Sequence, residues 1–443
     1  MKFLKQTDPQ MYELIKAEEK RQKESLMMIP SENIASRATE EAVGSVLGNK
    51  YSEGYAGKRY YQGNHIIDQV EQLVIDRAKK LFNVPFVNVQ PHSGSPANFA
   101  VYTALLKPGE TLMGLSLASG GHLTHGANMN ASSRYFKSIQ YNVDKNGYMD
   151  YKQIMALAKK EKPKVIVAGT TAYSRLIDWK KFAEIAKAVN AFLMADISHI
   201  AGLVSAGVYP SPVPYVDIVT TTTHKTLRGP RGAMIMVTEN GLKKDPDLGK
   251  KINSAIIPGI QGGPHNNAIA GIGVALKEAS SAKYKKYCEQ VMKNAQALAD
   301  GLRKHDFDLI SGGTDSHLLL IDIRNKKLLG NTLAEGCDLA GIVFNRNGVP
   351  FDPNPPFYPS GIRLGTPGIT SRGMKEKDMK KIAQAISDVA DALLKTKTKL
   401  GITDEQEKDK TVRAQIMAKT PELKKIHATI RALCRANPVK LSY

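Results

Sequence analysis

The sequence predicts an α/β protein: a largely parallel sheet with helices on both faces, followed by a smaller α/β domain. Three observations predict it. Apolar strand-like runs alternate with helix-favouring segments up to about residue 240, and that alternation implies a mostly parallel sheet covered on both sides. The texture changes after "PGIQGGPHNN", where long helical stretches and short strands take over. A chain of 443 residues is also too long for one compact core.

Taken in order, residues 1–36 read as a helical arm, charged and helix-favouring until Pro30. A helix is expected from about Ile66 to Phe82, because Ile67, Val70, Val74, Ala78 and Leu81 share one face. "FVNVQ" reads as a strand before the helix "PANFAVYTALL", and "KVIVAG" as a strand before "DWKKFAEIAKAV". The strands "AFLMAD", "VDIVTTTT" and "AMIMV" complete a large domain over 37–279. One long helical stretch is expected over Ala268–Lys304. Strands "FDLIS" and "HLLLIDI", a helix around Leu333, the strand "GIVFN" and a helix over Lys375–Lys395 then build a small domain, 280–395. A basic helical tail, 396–443, closes the chain.

With 42% hydrophobic and 23% charged residues the composition is that of an ordinary globular protein. No apolar run is long enough to span a bilayer, and "TDPQ" stands where a signal peptide needs its apolar core. The cysteines at 288, 337 and 434 form neither a metal spacing nor a disulfide framework, which suits a reducing cytoplasm. The net charge of +20 favours anionic partners. From Lys395 to Tyr443 there are twelve Lys/Arg against five Asp/Glu. Aromatic residues do not interleave with them, so nucleic acid is not expected as the main partner.

Ligands of such sheets sit beyond the carboxyl ends of the strands, and three stretches lie there. In "VTTTTHKT", Lys225 follows a strand rich in β-branched residues, with His224 beside it. A lysine enclosed by a site loses hydration, so its neutral, nucleophilic amine is favoured. In "AFLMADISHIAG", Asp196 ends a strand and His199 follows. In "PHSGSPANFA", Ser93, Gly94 and Ser95 precede Pro96 at a helix start, where free amides and the helix dipole cradle phosphate. Each has a plainer reading: a turn lysine, a helix-capping aspartate, an ordinary N-cap. Together, a lysine able to form an imine, an acid for a pyridinium nitrogen and a phosphate cradle are the parts that hold pyridoxal phosphate.

With these, the motifs "NKYSEGYAGKRYYQGN", "QPHSGSPAN", "GGHLTHG", "DISHIAGL", "VTTTTHKT", "QGGP" and "SGIRLGTP" closely resemble the serine hydroxymethyltransferase family, pyridoxal phosphate enzymes of fold type I. The resemblance implies that Lys225 forms the imine with the cofactor and that Asp196 pairs with the ring nitrogen. It places His122 over the ring face, His199 on the phenolic oxygen, and Ser93, Gly94 and Ser95 on the phosphate. Thr171 occupies a cofactor-site position often held by serine. Gly262 and Gly263 of a neighbouring subunit would complete the phosphate site, making a homodimer the minimum unit. Thr222 and His224 would position the ring and tune the lysine.

By the same resemblance Arg363 would bind the amino-acid carboxylate, helped by Ser31. Glu53 would handle protons on the serine hydroxyl and the folate nitrogen. Tyr51, Tyr60 and Tyr61 would line the site, largely across the subunit interface. Leu117, Gly121, Leu123 and Asn347 would meet the folate. The implied reaction moves the hydroxymethyl carbon of serine to tetrahydrofolate, giving glycine and 5,10-methylenetetrahydrofolate, with 3-hydroxy amino acid aldolase activity on the side. A folate-independent aldolase is the near alternative; Glu53, Tyr60 and "GGHLTHG" argue for folate. A second role in RNA binding is the distant one. Ser119 and Pro355 depart from the family pattern.

Overall fold

The computed structural model describes residues 1–439, so the last four residues of the expected tail lie outside it. The chain forms two compact units, Ala35–Cys288 and the combination of Met1–Ile34 with Glu289–Tyr443.

The unit Ala35–Cys288 is built on a seven-stranded sheet. Its order is Phe86–Asn88, Ala233–Val237, Ile218–Thr222, Phe192–Asp196, Val165–Gly169, Thr111–Leu115 and Lys137–Tyr141. Ala233–Val237 runs antiparallel to both its neighbours, and the remaining pairs are parallel. Val165–Gly169 and Ala233–Val237 are buried at every position, which is why they read as unbroken apolar runs without alternation. Side-chain caps start the covering helices: Asp150 accepts from the amides of Lys152 and Gln153 ahead of Tyr151–Glu161, and Asp178 from Lys181 ahead of Trp179–Ala188.

Two strands of this sheet, Thr111–Leu115 and Lys137–Tyr141, escape a reading by pattern. Gly114 weakens the first as a strand former, and the fold requires it: a Cβ there would sit 2.5 Å from the His125 carbonyl oxygen. The expected long helix over Ala268–Lys304 is two helices, Asn266–Ala279 and Ala282–Lys304. Serine hydroxyls break it. Ser280 and Ser281 donate to the Lys277 and Glu278 carbonyls, and Ser281 Oγ accepts the Tyr284 amide.

The other unit holds a four-stranded antiparallel sheet in the order Asp308–Leu309, Leu318–Asp322, Gly361–Gly365, Asn345–Asn347. "GIVFN" is not one strand. Ile342–Val343 pairs with Leu26–Met27, whereas Asn345–Asn347 joins the four-stranded sheet. The arm is therefore helical only over Lys2–Thr7 and Pro9–Glu24 before it turns to strand. Leu26, Met28, Leu319, Ile386, Ile416 and Ile430 share one core, which draws in both chain ends. Arg372 ties them further by donating to the carbonyls of Ser25 and Cys434.

Candidate active site

Asp196 ends the strand Phe192–Asp196, in register with Thr220 of the neighbouring Ile218–Thr222. Lys225 follows three residues after that neighbour ends and is only 8% exposed. The backbone around it is pinned. Thr223 donates its amide to Gly232, Gly229 donates back to Thr223, and the Thr226 hydroxyl donates to the His199 carbonyl at 2.9 Å. Tyr284 closes the bracing, its hydroxyl donating to the Thr226 carbonyl at 2.7 Å.

Three donors converge on the Asp196 carboxylate: Asn98 Nδ2 at 2.8 Å, His125 Nε2 at 3.1 Å and the Ser198 amide at 3.0 Å. Burial alone would raise its proton affinity, but His125, then His122 and Ser198, hold the carboxyl far below its usual range. The loop Leu123–His125 fixes both histidine tautomers. The His122 amide donates to His125 Nδ1, leaving His125 Nε2 to carry the hydrogen toward Asp196. The Thr124 amide donates to His122 Nδ1, so His122 carries its hydrogen on Nε2. Burial, reinforced by His125, pushes His122 down to about 4, so its ring is neutral at physiological pH. His224 is pushed down to about 3 by burial and by Lys225.

The helix Gly94–Leu105 begins ahead of Pro96, and its N-cap Ser93 makes no side-chain cap bond. Its first amides are therefore left without a side-chain acceptor from the cap, and Ser93 and Ser95 stay exposed. Gly94 is required by close approach: a Cβ there would meet Thr222 Cγ2 at 2.7 Å. Thr222 is itself fixed, its amide donating to Ser198 Oγ. Thr171 donates its hydroxyl to the Gly121 carbonyl at 3.1 Å, steadying the turn before His122. Gly262 and Gly263 lie beside Glu53 and Tyr51 of the same chain: Cβ atoms there would be 3.3 Å from Glu53 Oε1 and from the Tyr51 ring. Tyr51 in turn packs edge-on against Tyr61. This group is open to solvent, with Tyr51, Tyr60 and Tyr61 exposed. Leu117 and Leu123 are exposed as well.

Arg363, Ser31 and Asn347 belong to the other unit. Arg363 lies in the strand Gly361–Gly365, its Nε donating to Asn345 Oδ1 at 3.1 Å. Burial lowers the guanidinium to about 10, so it remains cationic at neutral pH. The Met28 carbonyl accepts the Gly365 amide, which brings the turn carrying Ser31 against this strand.

The family model described as serine hydroxymethyltransferase matches residues 4–386. A protein of that name from Acidothermus cellulolyticus is 53% identical over 390 residues, 88% of this chain and 90% of the relative. Its namesake from Desulfotalea psychrophila is 54% identical over 379 residues, covering 86% and 88%. A third, from Francisella tularensis subsp. novicida, is 53% identical over 386 residues, covering 87% and 91%. The chain belongs to the serine hydroxymethyltransferase family. It is thus a fold-type-I pyridoxal-phosphate transferase, working on serine and glycine with tetrahydrofolate as co-substrate.

The residues present fit the cofactor of a serine hydroxymethyltransferase. An ionised buried carboxylate, a buried lysine and an uncapped helix start are all provided, and among the described residues the buried His224 Nδ1 has no protein hydrogen-bond partner. Reading by motif passed over Asn98, His125 and Asn345. The first two stand inside quoted motifs, "QPHSGSPAN" and "GGHLTHG", so the signal was present without its partner. Of the departures from the family pattern, Ser119 is absorbed locally, its hydroxyl donating to Asn142 Oδ1 and accepting the Val143 amide. Pro355 is exposed.

These histidines set a pH dependence for the cofactor-free protein. In the unfolded chain His122 protonates near its ordinary value of 6.5, whereas in the fold it resists protonation until about 4. Acid between those values binds the unfolded state preferentially, so stability present above pH 6.5 is lost as pH falls through that window. His224 acts in the same direction. The urea midpoint is expected to drop between about pH 7 and pH 4.5, and His122→Asn should make that drop smaller. An equally steep drop in the variant would contradict the assignment.

Proposed function

We propose that Lys225 carries pyridoxal phosphate, that Ser93, Gly94 and Ser95 hold its phosphate, and that Asp196 pairs with its ring nitrogen. The observation that carries this reading is the buried Asp196 carboxylate, held ionised by His125, on the strand next to the one that delivers Lys225. When bound, the cofactor supplies an electron sink for the charge released as the hydroxymethyl carbon of serine departs.

The chain's own residues do the rest. Arg363 grips the substrate carboxylate with its forked donors, a match a lysine cannot make, and Ser31 adds a hydroxyl donor. Glu53 takes the proton of the serine hydroxyl and supplies one at the folate nitrogen, help worth about 10²- to 10⁴-fold. His122 covers the ring face and keeps water from it, while His199 donates to the phenolic oxygen. Thr171, Thr222 and His224 position the ring. Tyr51, Tyr60 and Tyr61 line the substrate side, and Leu117, Gly121, Leu123 and Asn347 receive the folate.

The minimum active unit in this reading is a homodimer. Its support is the cluster in which Glu53 and Tyr51 pack on Gly262 and Gly263, with Tyr51, Tyr60 and Tyr61 exposed on the single chain. An exposed aromatic group of this kind marks an interaction surface. A cytoplasmic setting accords with three cysteines that are all free and buried. If Glu53 enters the neighbouring subunit's site, mixing and refolding Lys225→Ala with Glu53→Gln, each inactive alone, should restore about a quarter of wild-type turnover, since one site in each mixed dimer is intact. A mixture that stays inactive while forming mixed dimers would place Glu53 in its own subunit's site.

A further inference from the structure

A second concavity lies within the unit Ala35–Cys288, where the helices His65–Phe82 and Asn266–Ala279 end and the helix Ala282–Lys304 begins. Its volume is about 610 Å³, within the range of sites that take whole small molecules. Arg77, Lys80, Lys277 and Lys285 line it, and none of its lining residues is acidic. Among the described residues none of these four cations forms an ion pair, and Arg77 is steadied by donating to the Gly273 carbonyl at 2.8 Å. Four like charges converging without counter-ions repel one another, and a bound polyanion would relieve that repulsion. The first amides of the long helix Ala282–Lys304 add a partial positive charge at the same rim. Leu81, half-buried, gives the cleft an apolar edge beside the charges.

We propose that this cleft binds a small organic polyphosphate, with two or more phosphate groups on the cations and an apolar or aromatic body against Leu81. Bare inorganic phosphate leaves the apolar edge unused, and an uncharged organic molecule leaves the cations unneutralised. The cleft is also wired to the lysine. Ser205 on its wall donates to the Gly202 carbonyl, the Gly202 amide donates to Thr226 Oγ1, and Tyr284 from the first turn of the rim helix donates to the Thr226 carbonyl. A ligand that steadies the rim steadies the residue next to Lys225.

The test is equilibrium binding of a nucleoside triphosphate, and separately of inorganic triphosphate, to the holoenzyme with glycine and tetrahydrofolate present so that both substrate sites are filled. Near physiological salt the nucleotide should bind saturably, once per chain, at sub-millimolar concentration. The double variant Lys277→Glu/Lys285→Glu, at two exposed positions, should stay folded and bind it about tenfold more weakly or worse. Absence of saturable binding to the wild type, unchanged affinity in the double variant, or equal affinity for inorganic triphosphate would each overturn the assignment.

Discussion

Lys225→Gln is expected to remove serine-to-glycine turnover almost completely, a loss of about 10⁴-fold or more, while the protein folds normally. The size follows from what the residue is rather than from what it contacts. Its backbone is held through Thr223, Thr226, Gly229 and Tyr284, so a side chain of similar length keeps the loop and loses only the amine. No neighbouring group can replace it, because an imine needs a primary amine: His224 offers an imidazole, and the threonine hydroxyls of the strand are committed, Thr220 to Asn98 and Thr223 to the Pro230 carbonyl. Lys225→Arg separates charge from nucleophilicity, because it keeps the cation but cannot form the imine. Borohydride should fix the cofactor to the Lys225 peptide of the wild type and to no peptide of either variant. Retention of about a tenth of wild-type turnover by Lys225→Arg would mean that charge, not the covalent bond, is what the position supplies.

How far the site could be read beforehand depended on how each residue earns its place. Asp196 and Lys225 were legible because one ends an apolar strand and the other follows a strand of β-branched residues, both buried along nearly their whole length. The helix start at Ser93 was legible from small residues before a proline. His125 and Asn98 were not, because their contacts with Asp196 span 71 and 98 residues. Such distances are closed by strand order, which spacing along the chain does not encode. The split of "GIVFN" has the same cause: Val343 and Asn345 are near neighbours in sequence, yet Leu26–Met27 claims one side and Gly361–Gly365 the other. Gly114 shows a reverse case, a residue that argues against a strand by propensity and is needed because the His125 backbone crosses over it. The basic cleft was hidden in the net charge, its four cations arriving as two distant pairs, Arg77 with Lys80 and Lys277 with Lys285, that only the fold gathers.

Asp196→Asn should weaken cofactor binding and lower turnover, by about 10²- to 4 × 10³-fold taken together, with folding retained. The substitution keeps shape and volume, so the loss is electrostatic. Asn98, His125 and the Ser198 amide all donate to the carboxylate. An asparagine offers a single acceptor oxygen, and its amide nitrogen would face one of those donors. Breaking a buried charge interaction of this kind costs about 3–5 kcal/mol, which at 1.4 kcal/mol per factor of ten gives the range stated. His125→Asn tests the same arrangement one step out. It leaves the carboxylate in place but removes the partner that most strongly keeps it ionised, so its effect should be smaller and should grow as pH falls, because acid then begins to neutralise Asp196. A purely structural role for Asp196 predicts the opposite pattern: a melting temperature lowered in both variants, with cofactor affinity that follows it and no added dependence on pH in His125→Asn. The two patterns differ because only a carboxylate that must stay charged to hold a protonated ring depends on what its histidine neighbour does to its proton affinity.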